Sequence, residues 1–370
     1  MDQRTGAMGP MTGLSLVIAG GGTGGHLYPG IAVARELMRQ VPTARVSFAG
    51  TSRGLEARVV PYEGFELDII RSAGLKGKSI AARLRGAAML LPSLFDAWRV
   101  ISRRRPSVVV GVGGYSSGPV VLLAALRGVP TMVLEQNAVP GLTNRLLSRV
   151  VRSAAVSFEQ TRAYFGSRAF LSGNPVRAEF YQSPEAPVRS GPPSRVLVLG
   201  GSQGARAINS VLPGVAALVQ QDCPDVTFVH QAGTRDVDAT QAAYAAASVR
   251  ATVQAFFDRV SDVVHEADLV ICRAGATTLA ELSAAARPAV LVPFPAATDD
   301  HQRRNAQVLV EAGAAVMIEE RELTAGRLAA TVVALLTDPA GLAKMRRAMA
   351  GFARPDAATR IVHQIRGLAA

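Results

Sequence analysis

Twice in this chain an apolar strand runs into a glycine-rich turn that opens a helix: SLVIAGGGTGGHLYPGIAVARELM near the start and RVLVLGGSQGARAINSVL from residue 195. Strand, tight turn and helix together form the building unit of doubly wound α/β sheets. A chain of 370 residues is long enough for two such domains and too long for one ordinary core. The pattern predicts an α/β chain of two Rossmann-like domains with parallel sheets. Such sheets bind ligands beyond the carboxyl ends of their strands, so two of them are expected to face each other across a cleft. The repeat is one supersecondary unit used twice, which excludes a solenoid.

Apolar runs alternate with helical stretches throughout, as expected for parallel sheets covered on both faces. Strands are expected at 15–19, 45–49, 107–110, 131–134 and 154–156, then at 195–199, 227–231, 252–255, 269–272 and 289–292. Five prolines between Gly173 and Pro193, without apolar periodicity, mark an interdomain linker. Residues 1–13 lack the apolar stretch of a signal peptide and read as a loose extension, leaving the protein in the cytoplasm. The expected domains are 1–172 and 194–345, with 346–370 a C-terminal helical segment. Cys223 and Cys272 have no metal-ligand spacing, and buried free thiols are expected.

The net charge of +12 is concentrated: residues 71–105 carry nine basic side chains and one acid, Asp96. Lys76, Lys78, Arg83 and Arg85 there neighbour Leu90, Leu91, Phe95 and Trp98. Pro92 and the short uncharged run exclude a transmembrane span. Basic side chains beside apolar ones suit a surface of anionic lipid; a solvated amphipathic helix is the competing reading. Few aromatics and no reader motif argue against nucleic acid.

The first loop, Gly20-Gly21-Gly22-Thr23-Gly24-Gly25-His26, satisfies G-x-G-x-x-G, but the second strand ends without the acidic residue of a dinucleotide site. Its glycines permit close backbone approach, and the helix start offers N–H groups to an anion. His26 is the loop's one titratable group. At a helix N-terminus a neutral imidazole is favoured, fit for a general base; a histidine that merely packs the turn is the alternative. A second cluster, Gly111 to Pro119, follows another strand and would stand at the same rim, so two turns on one domain suggest a diphosphate. Gly200–Ala205 repeats the phosphate geometry with the Ser202 hydroxyl added. Thr277 and Glu281 share a helical face, where the carboxylate suits a ribose diol, or simply the helix dipole. Asp299 and Asp300 are adjacent and make a poor metal site; neither a metal nor any other cofactor is expected.

GGTGGH, GGYSSGP, EQN (Glu135-Gln136-Asn137), GNPVR (Gly173–Arg177), GGSQGA, RAGATTLAE and DHQ-x-x-NA occur in this order between Gly20 and Ala306. Together they resemble the MurG family of peptidoglycan glycosyltransferases. These add N-acetylglucosamine (GlcNAc) to undecaprenyl-pyrophosphoryl-MurNAc-pentapeptide, lipid I, giving lipid II. The resemblance implies a GT-B fold, UDP-GlcNAc as donor, an inverting displacement and a peripheral place on the cytoplasmic face of the cell membrane, against its anionic inner leaflet. Other cell-wall synthesis proteins are the partners that it suggests. It implies donor contacts at Thr23, Gly24, Gly25, Asn137, Arg177, Ser202, Phe257, Ala276, Thr277, Thr278, Leu279, Ala280, Glu281 and Gln302. The acceptor diphosphate would meet Gly22, Gly113, Gly114 and Tyr115, with His26 as base, and the last helix would fold back on the first domain. An NAD(P)-dependent oxidoreductase, a UDP-sugar epimerase and a basic docking scaffold are the competing classes; the missing acid disfavours the first, and the Gly loops the last.

Overall fold

The protein is described by a computed structural model covering residues 13–72, 89–181, 194–201 and 204–370. They form two compact units. One holds the described residues up to Gln136, Pro140–Pro175 and Asp356–Ala370; the other holds Asn137–Val139 and Val176–Pro355. Lys76, Lys78, Arg83, Arg85 and Ser202, with most of the expected linker and N-terminal extension, lie outside the described residues.

In the first unit β1 (Ser15–Gly20), α1 (Gly24–Gln40), β2 (Arg45–Gly50), α2 (Glu56–Tyr62) and β3 (Glu66–Ile69) come first. Then follow α3 (Leu90–Arg104), β4 (Val108–Gly113), α4 (Ser117–Leu126), β5 (Thr131–Glu135), α5 (Leu142–Leu147), β6 (Ser153–Val156) and β7 (Ala169–Leu171). The seven strands are parallel in the order β3-β2-β1-β4-β5-β6-β7. Alternation along β1 builds two cores: Leu16 and Ile18 pack with Leu27, Ile31 and Leu37 of α1, while Val17 and Ala19 pack with Val100, Val120 and Val121 of α3 and α4. Because both faces are covered, β1 and β4 are buried at every residue, which explains their unbroken apolar sequences.

The second unit contains β8 (Arg195–Leu199), α6 (Arg206–Asp222), β9 (Thr227–Gln231), α7 (Val237–Ala246), β10 (Ala251–Gln254), α8 (Val260–Glu266) and β11 (Leu269–Cys272). It continues with α9 (Ala276–Ala284), β12 (Ala289–Leu291), α10 (His301–Glu311), β13 (Ala315–Met317), α11 (Ala325–Leu336) and α12 (Pro339–Ala350). Its strands are parallel in the order β10-β9-β8-β11-β12-β13. In both sheets the order reverses beside the first strand, so the loops after β1 and β4, and after β8 and β11, sit at switch points where ligands bind.

The last helix, α13 (Ala357–Ala369), inserts Ile361, Val362 and Ile365 into the core beside α1. Thr359 donates to Glu36 Oε1 at 2.9 Å and Arg360 to the Leu171 carbonyl at 2.8 Å. The return begins at Asp356, not at 346, because α12 still buries Met349 in the second unit, where Ser283 Oγ approaches its sulfur at 3.4 Å. Strand ends also differ from expectation. β4 runs on through Gly113, so Gly111 and Val112 belong to the sheet and not to the turn. β3, β7 and β13, not expected from the sequence, are edge strands of three or four residues; β7 and β13 are too short to stand out, and β3 alternates charged with apolar residues.

Candidate active site

The first Gly loop owes its course to its missing side chains. Gly20, Gly21 and Gly22 all have positive φ, a region costly for other residues. The Gly21 N–H donates to the Gly113 carbonyl at 3.3 Å, and a Cβ on Gly114 would stand 2.7 Å from the Gly21 carbonyl oxygen. The loops after β1 and β4 are thus in backbone contact at one rim, as expected from their strand positions.

Sequence reasoning missed what lies beneath them. Glu56, 1% exposed, accepts from the Gly22 N–H at 2.7 Å, the Thr51 N–H at 2.9 Å and the Thr51 hydroxyl at 2.7 Å. Burial pushes its carboxyl up, but these hydrogen bonds outweigh burial and hold it below the usual carboxylate range. The Gly22 amide is therefore engaged by the protein's own carboxylate. At the neighbouring loop Gly113 and Gly114 have positive φ, Tyr115 is 43% exposed, and α4 begins two residues later.

His26 is the third residue of α1, half-buried, with Nδ1 3.3 Å from Gln136 Oε1. Thr23 caps the same helix through its carbonyl, which accepts from His26 N–H and Leu27 N–H, and Gly24 and Gly25 form its first turn. These three expected donor residues stand in the first unit; the other described ones stand in the second.

In the second unit Gly200 N–H donates to the Gln231 carbonyl and Gly204 N–H to the Gly201 carbonyl, each at 3.0 Å. A Cβ on Gly204 would lie 2.6 Å from the Ala232 carbonyl oxygen. Under this loop runs a buried polar chain. Asn209 Nδ2 donates to the Ala232 carbonyl at 2.8 Å and to Asp236 Oδ2 at 3.0 Å, so its Oδ1 must accept from His230 Nε2 at 3.1 Å. His230 Nδ1 then accepts the Tyr244 hydroxyl at 3.1 Å. Burial pushes the imidazole down to about 4, which keeps it neutral.

The turn after β11 gathers most of the remaining expected donor residues. Ala276, Thr277, Thr278, Leu279, Ala280 and Glu281 form the first six positions of α9. Gln302 accepts through Oε1 from the Ala274 N–H at 3.2 Å and the Phe294 N–H at 3.0 Å, which orients its amide nitrogen away from that turn. Asn305, the asparagine of the DHQ-x-x-NA motif and fully buried, accepts from the Ala138 N–H at 2.8 Å. It donates to Asn137 Oδ1 at 3.1 Å and to the Ala274 carbonyl at 3.3 Å. Glu281 is not in the first turn of its helix, so the helix dipole does not explain it. Arg177 pairs with Glu179 at 3.0 Å and reaches Glu281 at 3.7 Å. Burial pushes the Glu281 carboxyl up to about 7, against the lowering pull of Arg177. Phe257, which follows the edge strand β10, buries its side chain, and its neighbour Phe256 is 57% exposed.

On the outer face of the first unit α3 buries Ala97, Val100 and Ile101 and exposes Leu90, Leu91 (77%), Phe95 and Trp98, the last two rings stacked at 6.2 Å. Part of the counted positive charge is internal: Arg71 is bound by Asp96, and Arg103 and Arg104 by Asp68. Asp68 precedes the basic stretch, so a count along the sequence overstates the free charge. Among the described residues no single helix is long and apolar enough to cross a membrane.

Residues 16–156 match the glycosyltransferase family 28 N-terminal domain and residues 195–361 the glycosyltransferase family 28 C-terminal domain. The chain is 46% identical over 353 residues to the UDP-N-acetylglucosamine--N-acetylmuramyl-(pentapeptide) pyrophosphoryl-undecaprenol N-acetylglucosamine transferase of Anaeromyxobacter sp. (strain K), over 94% of this chain and 91% of that one. It is 44% identical to the protein of the same name from Pelobacter propionicus, over 95% of this chain and 99% of that one. The crystal structure of Acinetobacter baumannii MurG superposes with a TM-score of 0.79 at 33% identity, covering 96% of this chain and 99% of that chain. With two family 28 domains on two parallel sheets, the fold is GT-B, and the chain belongs to the MurG family of glycosyltransferases.

Proposed function

We propose that this chain transfers GlcNAc from UDP-GlcNAc to the MurNAc C4 hydroxyl of undecaprenyl-pyrophosphoryl-MurNAc-pentapeptide, a step of peptidoglycan synthesis. The observation that carries this reading is the 46% identity, over nearly the whole of both chains, to a transferase of that name. In this reading the hydroxyl oxygen attacks the anomeric carbon in one displacement, the C–O bond to the diphosphate breaks, and UDP leaves with the electron pair. The configuration inverts. His26 takes the hydroxyl proton.

The site geometry supports a division of labour. Glu281, whose carboxyl burial raises, suits the donor ribose, and the start of α6 beyond Gly200–Ala205, with Ser202, suits the donor diphosphate. Arg177, Gln302 and Asn137 lie on the same unit; Thr23, Gly24 and Gly25 offer the first turn of α1 to the sugar, and Phe257 offers its backbone to the uracil. For the acceptor diphosphate, Gly113, Gly114 and Tyr115 before α4 are favoured over Gly22, whose amide Glu56 already takes. The exposed apolar ridge of α3 suits the anionic inner leaflet of the cytoplasmic membrane, where a lipid-linked acceptor resides. Labelled GlcNAc should pass from UDP-GlcNAc to a lipid I analogue on adding the purified chain. No transfer by folded protein that binds UDP would defeat the reading.

A further inference from the structure

Which ring nitrogen of His26 is bare decides whether it can act as a base. Gln136, 2% exposed, settles the question through its own two contacts. Its Nε2 lies 3.4 Å from the Val112 carbonyl oxygen, which can only accept. The amide nitrogen therefore faces Val112, and Oε1 faces His26 Nδ1 at 3.3 Å. An amide oxygen carries no hydrogen, so the proton of this contact belongs to Nδ1. Turning the amide over would set oxygen against the Val112 oxygen, two acceptors without a hydrogen between them. The ring is also held in place: a Cβ on Gly113 would stand 2.7 Å from Nδ1 and 2.9 Å from Cε1, so only glycine allows the imidazole to lie there.

We infer that Gln136 is a positioning residue that keeps neutral His26 in its Nδ1-protonated tautomer and leaves Nε2 as the lone-pair nitrogen. The inference deepens the transferase reading, since it names Nε2 as the atom that takes the proton of the acceptor hydroxyl. That proton passes to Nε2 as the oxygen–carbon bond forms and the bond to UDP breaks, so charge and atoms balance. A fixed orienting partner behind a catalytic imidazole is the general way in which proteins select its tautomer.

The test does not depend on turnover. In full-length protein with 15N-labelled histidine, above the titration range of imidazole, the His26 ring is assigned by loss of its signals in His26→Ala. Nδ1 is expected to show the shift of a protonated nitrogen and Nε2 that of a bare one; the opposite assignment overturns the inference even if transfer is observed. In kinetics, Gln136→Leu should lower kcat by about 10- to 100-fold with both KM values within twofold, since general-base catalysis is typically worth 10²–10⁴-fold. A Leu variant with unchanged kcat refutes the role. Should that variant fail to fold, the nitrogen shifts of the wild-type ring decide the matter.

Discussion

Glu56, buried, and Glu281, partly buried, each stand beside a turn that follows a parallel strand, and their environments drive them in opposite directions. Glu56 takes three hydrogen bonds from its own chain, at 2.7–2.9 Å, and stays ionised. Glu281 has a cation at 3.7 Å, and burial raises it to about 7. The first acid is complete without a ligand and serves the architecture. The second has Arg177 within reach, and in the proposed reading a sugar diol would supply its further donors. The loops beside them differ likewise. The loop after β1 spends its Gly22 amide on a carboxylate, whereas the loop after β8 rests on strand carbonyls and on a neutral Asn209–His230–Tyr244 chain, with Asp236 bonded to Asn209.

Removing the base should produce the largest effect. His26→Ala is expected to lower kcat by about 100-fold or more while the UDP dissociation constant stays within twofold; if UDP affinity fell in step, the assignment of separate roles to the two units would break. Next comes Glu56→Ala, which strands the Gly22 and Thr51 amides and should cost about 3 kcal/mol in denaturant unfolding. UDP affinity should stay within twofold. The Glu56 contribution is present above its ordinary value of 4.5 and lost as pH falls through its lower folded value, so the gap between wild type and Glu56→Gln should close on acidification. A gap independent of pH would mean that the carboxylate charge is irrelevant.

For Glu281 the sign reverses. Its raised carboxyl contributes stability below 4.5 that is lost as pH rises through about 7, so Glu281→Gln should be more stable than wild type by about 3 kcal/mol at pH 8 and equal to it at pH 4.5. Wild-type affinity for UDP-GlcNAc should rise between pH 6 and 8, a trend that the Gln variant lacks; identical pH profiles would remove Glu281 from the ribose. The smallest effect belongs to Tyr244→Phe, about 1 kcal/mol, read as a lowered melting temperature with kcat unchanged. A large loss of turnover there would make the buried chain part of the catalytic apparatus.

Most of the architecture was legible in the sequence because parallel strands covered on both faces must be apolar where they are buried, as β4 and β11 are throughout and β1 and β8 are after their first residue. The loops were legible because glycine at positive φ is a local requirement. Residues that act through a distant partner were not. Glu56 looks like an ordinary helix-opening acid until its 34-residue separation from Gly22 is closed in space. Asn209, His230 and Tyr244 lie in helix, strand and helix with no shared motif, and Asn305 meets Ala138 across 167 residues. Gln136 stood inside a recognised motif, but its orientation depends on a carbonyl 24 positions earlier.

The placement of α13 bears on how the molecule is made. Its Ile361, Val362 and Ile365 pack in one core with Leu14 and Leu16, so that core is filled only after residues 357–369 have been made. The unit of residues 176–355 is available in full before that helix emerges and can fold first, against the usual N-to-C sequence of domain folding. A chain that stops near residue 355 would leave an apolar furrow along α1, a target for chaperones and proteases and not a half-enzyme.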